Sequence, residues 1–432
     1  MQRKFYEVLK KWKENDSEIP LMVVGARQIG KTYIIDEFCK KEFEDYIYIN
    51  FMKQPNIVKL FEEDTEFEVK VKRLELEINK KIDPEKTVIF FDEIQESEKA
   101  ITSLKFFCES EKPYKIVCAG SLLGVKLHRF NSSFPVGKVQ IKFMYPMDFE
   151  EFLWALDKKM WADEIRRCYN NLEEISIHEK LMELYRTYLC IGGMPEAIKA
   201  YKNVNEEILL WNQNSVKDII LSYIADMTRY TKSSAETVKI EKVYKTIPTV
   251  LAKENKKFKY AEIEKSANKR EYESAINWLV SSNLVYQCIL VNKIEAPLKA
   301  FEQLDHFKLY VNDVGILTAL LEIKFSDILL NNNFMFKGAI AENYVAQAFA
   351  TNGITLNYWK SKNNAEIDFM LYNDDGIIPV EVKADENTRA KSFNLYMKKY
   401  KPKYGIKISA KNFGYSNNIK SIPLYAVFCI EK

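Results

Sequence analysis

The feature that most constrains this chain is a glycine-containing stretch near its start, Gly25-Ala26-Arg27-Gln28-Ile29-Gly30-Lys31-Thr32. Its spacing fits G-x-x-x-x-G-K-[ST], a loop whose backbone N–H groups surround a polyanion together with the N-terminus of the next helix. The apolar residues 21–24 predict a buried strand before the loop, and the apolar spacing over 31–38 predicts a helix after it. The sequence therefore predicts a nucleotide-binding strand–loop–helix unit.

The loop residues have separate expected roles. Lys31 would reach the β- and γ-phosphates of ATP, and the Thr32 hydroxyl would bind Mg²⁺. ATP and Mg²⁺ are therefore the expected cofactors, and Lys31 is also an expected catalytic residue. The residues expected to contact the nucleotide are Gly25, Ala26, Arg27, Gln28, Ile29, Gly30, Lys31, Thr32 and Tyr33.

A second strand end supplies the acidic half of the expected site. Residues 87–91 are strand-prone and run into Asp92-Glu93. We expect Asp92 to hold Mg²⁺ through water and Glu93 to polarise the attacking water. A further buried strand, 115–119, leads to Ser121. Two interpretations of Ser121 remain open: contact with the γ-phosphate or the attacking water, or the N-cap of a short helix.

Several motifs together resemble a family of prokaryotic AAA-type ATPases that carry a C-terminal region of unknown function. Besides the loop, they are Phe91-Asp92-Glu93-Ile94-Gln95, Ala119-Gly120-Ser121, Phe134-Pro135-Val136-Gly137-Lys138, Tyr145-Pro146-Met147-Asp148-Phe149-Glu150-Glu151-Phe152 and Gly192-Gly193-Met194-Pro195-Glu196-Ala197. The resemblance implies a P-loop ATPase domain over residues 1–150 and a small helical lid over 151–230.

The trans-acting arginine finger of such an ATPase is not determined by the sequence. Arg129 could be presented to a neighbouring subunit of a homo-oligomer, or it could be an ordinary surface arginine. The family often has Arg where this chain has Lys138, and Lys cannot make the bidentate contact that Arg makes. Both positions stay candidates.

Composition narrows the class of protein. The chain is 47% hydrophobic and 29% charged, and no apolar run approaches the roughly 20 residues that span a membrane. Seven separated cysteines and only three histidines predict buried thiols in a reducing cytoplasm and no zinc site. The net charge of +3 does not indicate a nucleic-acid partner, but residues 389–432 hold ten Lys/Arg against one acidic residue.

The middle of the chain is predicted to be mainly helical. Periodicity predicts helices over 149–161 and 177–189, with a sharp break at 192–195. Residues 231–300 then predict three helices and a strand, the pattern of a winged helix-turn-helix. The recognition helix would be 271–280, with Lys265, Lys269 and Arg270 at its start but Glu271 and Glu273 on it. DNA contact and protein contact both remain open.

Residues 301–432 contain a predicted β-hairpin with acidic residues. Two alternating segments, 365–371 and 378–383, flank the turn signal Asn373-Asp374-Asp375-Gly376. A symmetric turn places Asp368 opposite Glu381 and Glu366 opposite Lys383 on one face. Opposed carboxylates with Cβ atoms roughly 5 Å apart suit a shared hard cation such as Mg²⁺. The competing interpretation is an exposed face with weak cross-strand ion pairs.

The spacing Asp-x₁₂-Glu-x-Lys, preceded by a helix over 336–350 that bears Glu342, resembles the PD-(D/E)xK restriction-endonuclease-like family. The resemblance implies that Asp368, Glu381 and Lys383 are catalytic and that Glu342, Asp368 and Glu381 bind metal. Together with Thr32 and Asp92, these complete the expected metal ligands.

The expected architecture is α/β: an AAA-type ATPase domain, a lid, a winged-helix module over 231–300 and a nuclease-like domain over 301–432. The expected function is ATP hydrolysis coupled to a nuclease-like domain that acts on DNA. The alternative is a nucleotide-controlled switch whose C-terminal domain binds nucleic acid or protein without cleaving it.

Overall fold

Continuous apolar runs such as residues 21–24 and 87–91 form strands that are buried on both faces, as parallel sheets require. The computed structural model describes residues 1–15, 17–121, 134–231, 233–253, 256–331, 334–361, 365–386 and 390–431. These divide into two compact units, residues 2–145 with 281–283, and residue 1 with 146–280 and 284–432.

The first unit alternates strands and helices. Its elements are α1 (Phe5–Asn15), β1 (Leu21–Val24), α2 (Lys31–Glu42), β2 (Asp45–Asn50), α3 (Pro55–Glu62), α4 (Phe67–Glu77), β3 (Thr87–Asp92), α5 (Glu98–Glu109), β4 (Lys115–Gly120) and β5 (Gln140–Phe143). The five strands form a parallel sheet in the order β2-β3-β4-β1-β5. Strand β4 therefore lies between β1, which leads into the phosphate loop, and β3, which ends at Asp92.

The charged stretch 62–80, where helix is expected from the sequence, contains α4 over Phe67–Glu77, and the preceding helix α3 ends at Glu62. The break follows the acidic run Glu62-Glu63-Asp64, whose charges are unfavourable at a helix C-terminus. Helix α1 is amphipathic and buries Phe5, Leu9 and Trp12. Arg129 and the expected helix after Ser121 lie outside the described residues.

The second unit begins with helices. They are α6 (Phe149–Ala155), α7 (Lys159–Asn171), α8 (His178–Ile191), α9 (Pro195–Asn203), α10 (Asn214–Arg229), α11 (Ser234–Leu251) and α12 (Lys269–Ser281). The helix expected over 149–161 is thus two helices, because the chain turns at Asp157, whose φ is 58°. The break expected at 192–195 is confirmed, and Gly192 there has a φ of 79°.

The described residues in the rest of the second unit form two sheets and four helices. Its elements are β6 (Val285–Val291), β7 (Glu302–Val311), α13 (Val314–Leu320), α14 (Phe325–Leu329), α15 (Lys337–Thr351), β8 (Asn357–Lys360), β9 (Glu366–Ile367), β10 (Phe369–Asn373), β11 (Gly376–Val382), α16 (Lys391–Tyr400), β12 (Gly405–Ser409), β13 (Gly414–Ser416) and β14 (Ile419–Pro423). The sheet orders are β7-β6-β8-β9 and β10-β11-β12-β14-β13. Helix α15 is buried on most sides and packs against β6, β7 and β11.

The winged-helix prediction is only partly reflected in the observed elements. Between α11 and α12 there is a three-residue 3₁₀ turn, Tyr260–Glu262, where a second helix was expected. Strand β6 pairs antiparallel with β7 and parallel with β8, so it lies inside a larger sheet. The proposed boundary at residue 300 therefore falls between paired strands, and the winged-helix assignment stays a prediction.

The basic C-terminal stretch is folded. Its described residues form α16, β12, β13 and β14 and a final 3₁₀ segment, Leu424–Cys429, whose residues are all buried. Within the described parts of the chain, no helix combines the length and apolar character needed to cross a membrane.

Candidate functional site

The loop after β1 needs glycine for two different reasons. A Cβ at Gly25 would clash with the Met144 carbonyl oxygen and would lie 2.6 Å from Ile29 Cδ1, so the tight packing of the loop excludes a side chain. Gly30 has a φ of 91°, in the left-handed region that glycine adopts without strain. Helix α2 begins at the next residue. The first N–H groups of this helix therefore point toward the loop.

Lys31 is buried and its ammonium folds back onto the loop. Its Nζ donates to the carbonyl oxygens of Gly25, at 2.9 Å, and Ala26, at 2.7 Å. The loop thus encloses a positive charge that a polyanion would meet on entry. Tyr33, two residues further, is 59% exposed.

Asp92 is brought against the loop helix, as expected from the sequence. The Thr32 hydroxyl donates to its carboxylate at 3.2 Å, and the Tyr48 hydroxyl donates at 2.9 Å. The Asn50 amide lies 3.3 Å from the same oxygen as Tyr48. Burial raises the pKa of the Asp92 carboxyl above its ordinary value, against the effect of the Tyr48 hydrogen bond.

Glu93 occupies an unusual backbone position. Its φ is 53°, in the left-handed region, and the Gln95 side-chain amide donates to its carboxylate. Left-handed backbone at a non-glycine residue stores strain that often accompanies a functional position. Ser121 is buried and directly follows β4, whose residue Ala119 pairs with Asp92. Its hydroxyl therefore belongs to the same edge of the sheet.

Sequence reasoning missed three residues of this site. The Arg3 guanidinium is buried and donates to the carbonyl oxygens of Ile29 and Tyr145, each at 2.6 Å. It therefore ties the phosphate loop to the chain after β5, and no local pattern marks it. Tyr48 and Asn50 could have been predicted, because alternate residues at the end of β2 point to the same face of the sheet.

Lys138 makes a contact within its own chain. Its ammonium lies 3.0 Å from the Glu109 carboxylate in an exposed ion pair. Such an ion pair is compatible with an ordinary surface lysine and with a residue that acts on the nucleotide of a neighbouring subunit.

The C-terminal hairpin has the predicted register over the part that pairs. Phe369 pairs with Val380 and Asn373 with Gly376, around the turn residues Asp374 and Asp375. The predicted pairing of Glu366 with Lys383 is wrong, because the chain leaves this ladder before Phe369. Glu366 instead pairs with Lys360 in the other sheet. The competing interpretation, an exposed hairpin face, is wrong, because both faces of β10 and β11 are largely buried.

Glu342 on α15 is the most buried acid of the expected constellation. The ammonium groups of Lys256 and Lys308 and the Tyr310 hydroxyl donate to its carboxylate. Burial alone would raise the pKa of Glu342, but the two ammonium groups outweigh it and lower the pKa to about 2. Glu342 is therefore a carboxylate at neutral pH, with its charge balanced by lysines.

Lys308 was also missed by sequence reasoning. It is 1% exposed and lies 3.2 Å from Glu342 and 2.8 Å from Glu366. Burial disfavours its charged form, yet the surrounding carboxylates raise its pKa well above the ordinary value. It is a buried cation at the centre of an acidic cluster.

Asp368 and Glu381 are close enough to disturb each other. Burial, Glu381 and Glu342 together raise the pKa of Asp368 to about 7. Burial also raises the pKa of Glu381, against the attraction of Lys383, whose Nζ lies 2.7 Å away. Asp368 accepts the Val382 N–H at 2.8 Å. The Glu381 side chain is 7% exposed, and its Oε2 has no hydrogen-bond partner among the described residues.

The described residues contain no group of three or more His, Cys, Asp or Glu side chains that is placed to hold a metal ion. Glu342, Asp368 and Glu381 therefore do not form a three-carboxylate cage as they stand. The physical reason is that Lys256 and Lys308 occupy the oxygens of Glu342. What remains is the Asp368–Glu381 pair, in which Glu381 Oε2 has no hydrogen-bond partner among the described residues.

A parallel sheet with a phosphate loop after β1, an acid at the end of β3 and β4 between them defines a P-loop nucleotide-binding domain. Residues 17–153 match the family model described as "AAA domain", so this part of the chain is similar to AAA-type P-loop domains. Residues 182–327 and 337–427 match two models, each described as a domain of unknown function (DUF8612 and DUF4143).

Solved structures give distant similarities. A Walker-type ATPase of Pyrococcus abyssi is 13% identical, with 74% of this chain and 95% of that chain covered and a TM-score of 0.43. The ORC2 protein of Aeropyrum pernix is 12% identical, with 76% and 92% covered and a TM-score of 0.39. The RuvB branch migration motor of Thermotoga maritima is 14% identical, with 66% and 87% covered and a TM-score of 0.29. None of the curated proteins matches the chain.

Proposed function

We propose that this protein binds Mg²⁺-ATP in the phosphate loop and hydrolyses it. The observation that carries the proposal is the contact between the Thr32 hydroxyl and the Asp92 carboxylate. Thr32 lies in the first turn of α2 and Asp92 at the end of β3, and together they form the hydroxyl–carboxylate donor set that suits Mg²⁺. The N-terminus of α2 would favour a phosphate beside them.

The roles of the residues follow from their contacts. Lys31 would exchange the carbonyl oxygens of Gly25 and Ala26 for phosphate oxygens, which are stronger partners for an ammonium. Thr32 and Asp92 would hold Mg²⁺, which neutralises charge on the phosphates. Glu93 would accept a proton from the attacking water, and Gln95 would orient its carboxylate.

Phosphate release from ATP, measured with Mg²⁺ and with EDTA, tests this proposal. We expect Mg²⁺-dependent turnover that Thr32→Ala reduces by about 10²-fold or more and that Thr32→Ser retains, because serine keeps the hydroxyl. Turnover that is equal in the two variants would contradict the assigned role of Thr32. No nucleotide binding at all by the unmodified chain would contradict the function.

For the C-terminal site we propose metal-dependent cleavage of DNA phosphodiesters. The specific observation in its favour is the buried Oε2 of Glu381, which has no hydrogen-bond partner among the described residues and lies near Asp368, whose pKa is raised to about 7. These two carboxylates would hold a hard divalent cation, which supplies Lewis-acid stabilisation of the phosphate. Lys383 would stabilise the charge that develops as the bond breaks. Glu342, held by lysines, would be an outer member of the site.

Incubation with single-stranded, duplex and branched DNA in Mg²⁺ or Mn²⁺ tests cleavage. We expect products from the unmodified chain and none from Asp368→Asn, with Asp375→Asn as a control because Asp375 lies at the exposed hairpin turn. If all the forms stay intact and Asp368→Asn makes no difference, cleavage is refuted.

The alternative is a nucleotide-controlled switch that binds without cleaving. The neutralised Glu342 and the exposed acids Glu271 and Glu273 of α12 favour it. Filter binding over a salt titration separates the two kinds of partner. A DNA-binding protein should lose affinity steeply as salt rises, whereas a switch that contacts only protein should show little binding and no such slope.

A further inference from the structure

We propose that a cavity at the carboxyl ends of β11 and β12 binds a small zwitterionic ligand. An oxyanion of the ligand would contact Arg186, and a cationic group of the ligand would lie by Glu179 and Glu386. The cavity has a volume of about 310 Å³, which is at the lower end of the range for small-molecule sites. None of its described lining residues belongs to the phosphate loop or to the Asp368–Glu381 pair, so it is distinct from both sites described above.

Two parallel strands end at the cavity. Asp385 and Glu386 follow β11, and Ala410 directly follows β12, which pairs with β11 in parallel. The first part of α8 forms another part of the wall. In open α/β sheets, ligands commonly bind outside the carboxyl ends of parallel strands. The cavity therefore lies where a sheet of this kind can present a ligand site.

The cavity wall is held together by contacts within the protein. One ring nitrogen of His178, the first residue of α8, lies 2.8 Å from the Tyr425 hydroxyl oxygen, and the other lies 2.9 Å from the Ala410 carbonyl oxygen. On the β11 side, the Lys337 ammonium pairs with the Asp385 carboxylate. These contacts hold α8 against the end of β12 and hold the chain after β11. The shape of the cavity therefore does not depend on a ligand, as is usual for small-molecule sites.

Arg186 indicates an anionic group on the ligand. Its Nε is buried and has no hydrogen-bond partner among the described residues. A smaller recess of about 30 Å³ shares Arg186 with the cavity and is also lined by Tyr185, whose buried hydroxyl likewise has no partner in the described part of the chain. A buried donor without an acceptor is costly. Because a guanidinium can bind carboxylate or phosphate through two parallel N–H bonds, an oxyanion would satisfy Arg186.

The acidic residues of the cavity restrict the ligand further. Glu179, Asp385 and Glu386 line it, and of these Asp385 is already paired with Lys337. A simple anion would be repelled by the other two carboxylates, whereas they would attract the cationic group of a zwitterion. Glu179 and Arg186 are two turns apart on one face of α8, about 10 Å along the helix axis. The two charges of the ligand should therefore be separated by several bonds.

Calorimetric titration and thermal unfolding of the full chain test the site with three probes of equal chain length. ε-Aminocaproate carries a carboxylate and an ammonium group, hexanoate carries only the carboxylate, and hexylamine carries only the ammonium group. We expect ε-aminocaproate to bind and to raise the unfolding temperature. Hexanoate and hexylamine should bind at least about tenfold more weakly, because each leaves one set of charges in the cavity without a partner.

Four variants assign the two ends of the ligand. Arg186→Met keeps an apolar stem, so we expect it to unfold at the temperature of the parent without the probe and to bind ε-aminocaproate at least about tenfold more weakly. Glu179→Gln should weaken binding severalfold and bring the affinities for ε-aminocaproate and hexanoate closer together. Lys180→Met and Glu183→Gln remove the same charges from exposed positions of α8 that do not line the cavity, and both should bind like the parent.

Three results would overturn the proposal. Equal affinities of the parent for ε-aminocaproate and hexanoate would contradict a zwitterionic ligand. An Arg186→Met variant that binds like the parent would contradict the role of Arg186. The same holds for one that unfolds at a clearly lower temperature without the probe, because the residue would then be structural. Finally, no binding of ε-aminocaproate by the parent would refute the site.

Discussion

Asp92 receives hydrogen bonds from three side chains, which come from two separate elements of the chain. Thr32 lies on the loop helix, and Tyr48 and Asn50 lie at the end of β2. A buried carboxylate held in this way is prepared to accept a cation, because its donors can be exchanged for metal contacts without moving the strand.

Lys31→Ala should abolish nucleotide binding. The substitution removes the ammonium that the loop encloses, and no other side chain is expected to take its place at the phosphates. Fluorescence titration with a labelled ATP analogue would measure the loss, which we expect to exceed 10²-fold. Lys40→Ala, on the exposed part of the same helix, is the charge-matched control and should bind normally.

Glu93→Gln should retain ATP binding and lose turnover. Glutamine keeps the size of the side chain but cannot accept the proton of the attacking water, so a loss of about 10²-fold or more in kcat is expected. A single-turnover assay after nucleotide binding measures this step. A normal ATPase rate in this variant would refute the assignment of Glu93 as the base.

At the level of single residues, the sequence could predict those candidate site residues that lie in a contiguous motif. Gly25 to Thr32, Asp92 and Glu93 have fixed spacing and fixed positions at strand ends. Arg3 and Lys308 could not be found, because each acts on residues far along the chain and neither lies in a recognisable pattern.

Among the secondary-structure elements, the junction of α8 and α9 is the most tightly specified. The Gly193 N–H donates to Asp313 Oδ2 at 2.6 Å, and its carbonyl accepts the Met147 N–H at 2.7 Å. The Gln347 amide donates to the Tyr188 hydroxyl, at 3.0 Å, in the same buried network. The network joins α8, α13 and α15.

Gly193→Ala should destabilise the second unit by about 3 kcal/mol or more, since the new Cβ would overlap the backbone of Met147. Urea unfolding measures the change. Gly338→Ala, on the exposed first turn of α15 with nothing within 4 Å of the added Cβ, is the control. It should be neutral or stabilising by up to about 1 kcal/mol.

Asp313 should make stability depend on pH. Burial raises its pKa to about 6, although backbone N–H groups donate to it. The folded state therefore binds the proton more tightly than the unfolded state, whose pKa is about 3.9. The resulting stabilisation is present below about pH 4 and is lost as the pH rises to about 6, a change of about 3 kcal/mol.

The Asp313→Asn variant isolates this contribution, because asparagine has a similar shape and does not titrate. The unfolding free energy of the parent minus that of the variant should fall between about pH 4 and pH 6 and stay constant above about pH 7. A difference that is independent of pH would contradict the assignment.

Secondary-structure prediction succeeded where the hydrophobic pattern or the turn signal in the sequence is strong. Leu21–Val24 and the Asn373–Gly376 turn are confirmed, because a continuous apolar run and an Asp/Gly turn are local properties of the sequence. It failed at Glu366, because a bend at Asp368 passes the chain from one sheet to another. That bend is set by long-range packing.

For the molecule as a whole, the proposed ATP hydrolysis provides a readout of the partner. If the C-terminal site binds DNA and is coupled to the nucleotide site, one form of DNA should change the ATP turnover rate by severalfold. Steady-state turnover with single-stranded, duplex and branched DNA measures this. Rates that are the same with every form would favour a protein partner.

Helix α15 carries Glu342 for the acidic site, Asn343 for the β7 backbone and Gln347 for the Gly193–Asp313 network. Two of these three side chains are needed simply to fill and bond the interior. A relative that has lost all chemistry at the C-terminal site would therefore still need most of this helix. Retention of this helix in a relative is therefore weak evidence for an active site. The residue type at position 342 is the informative feature.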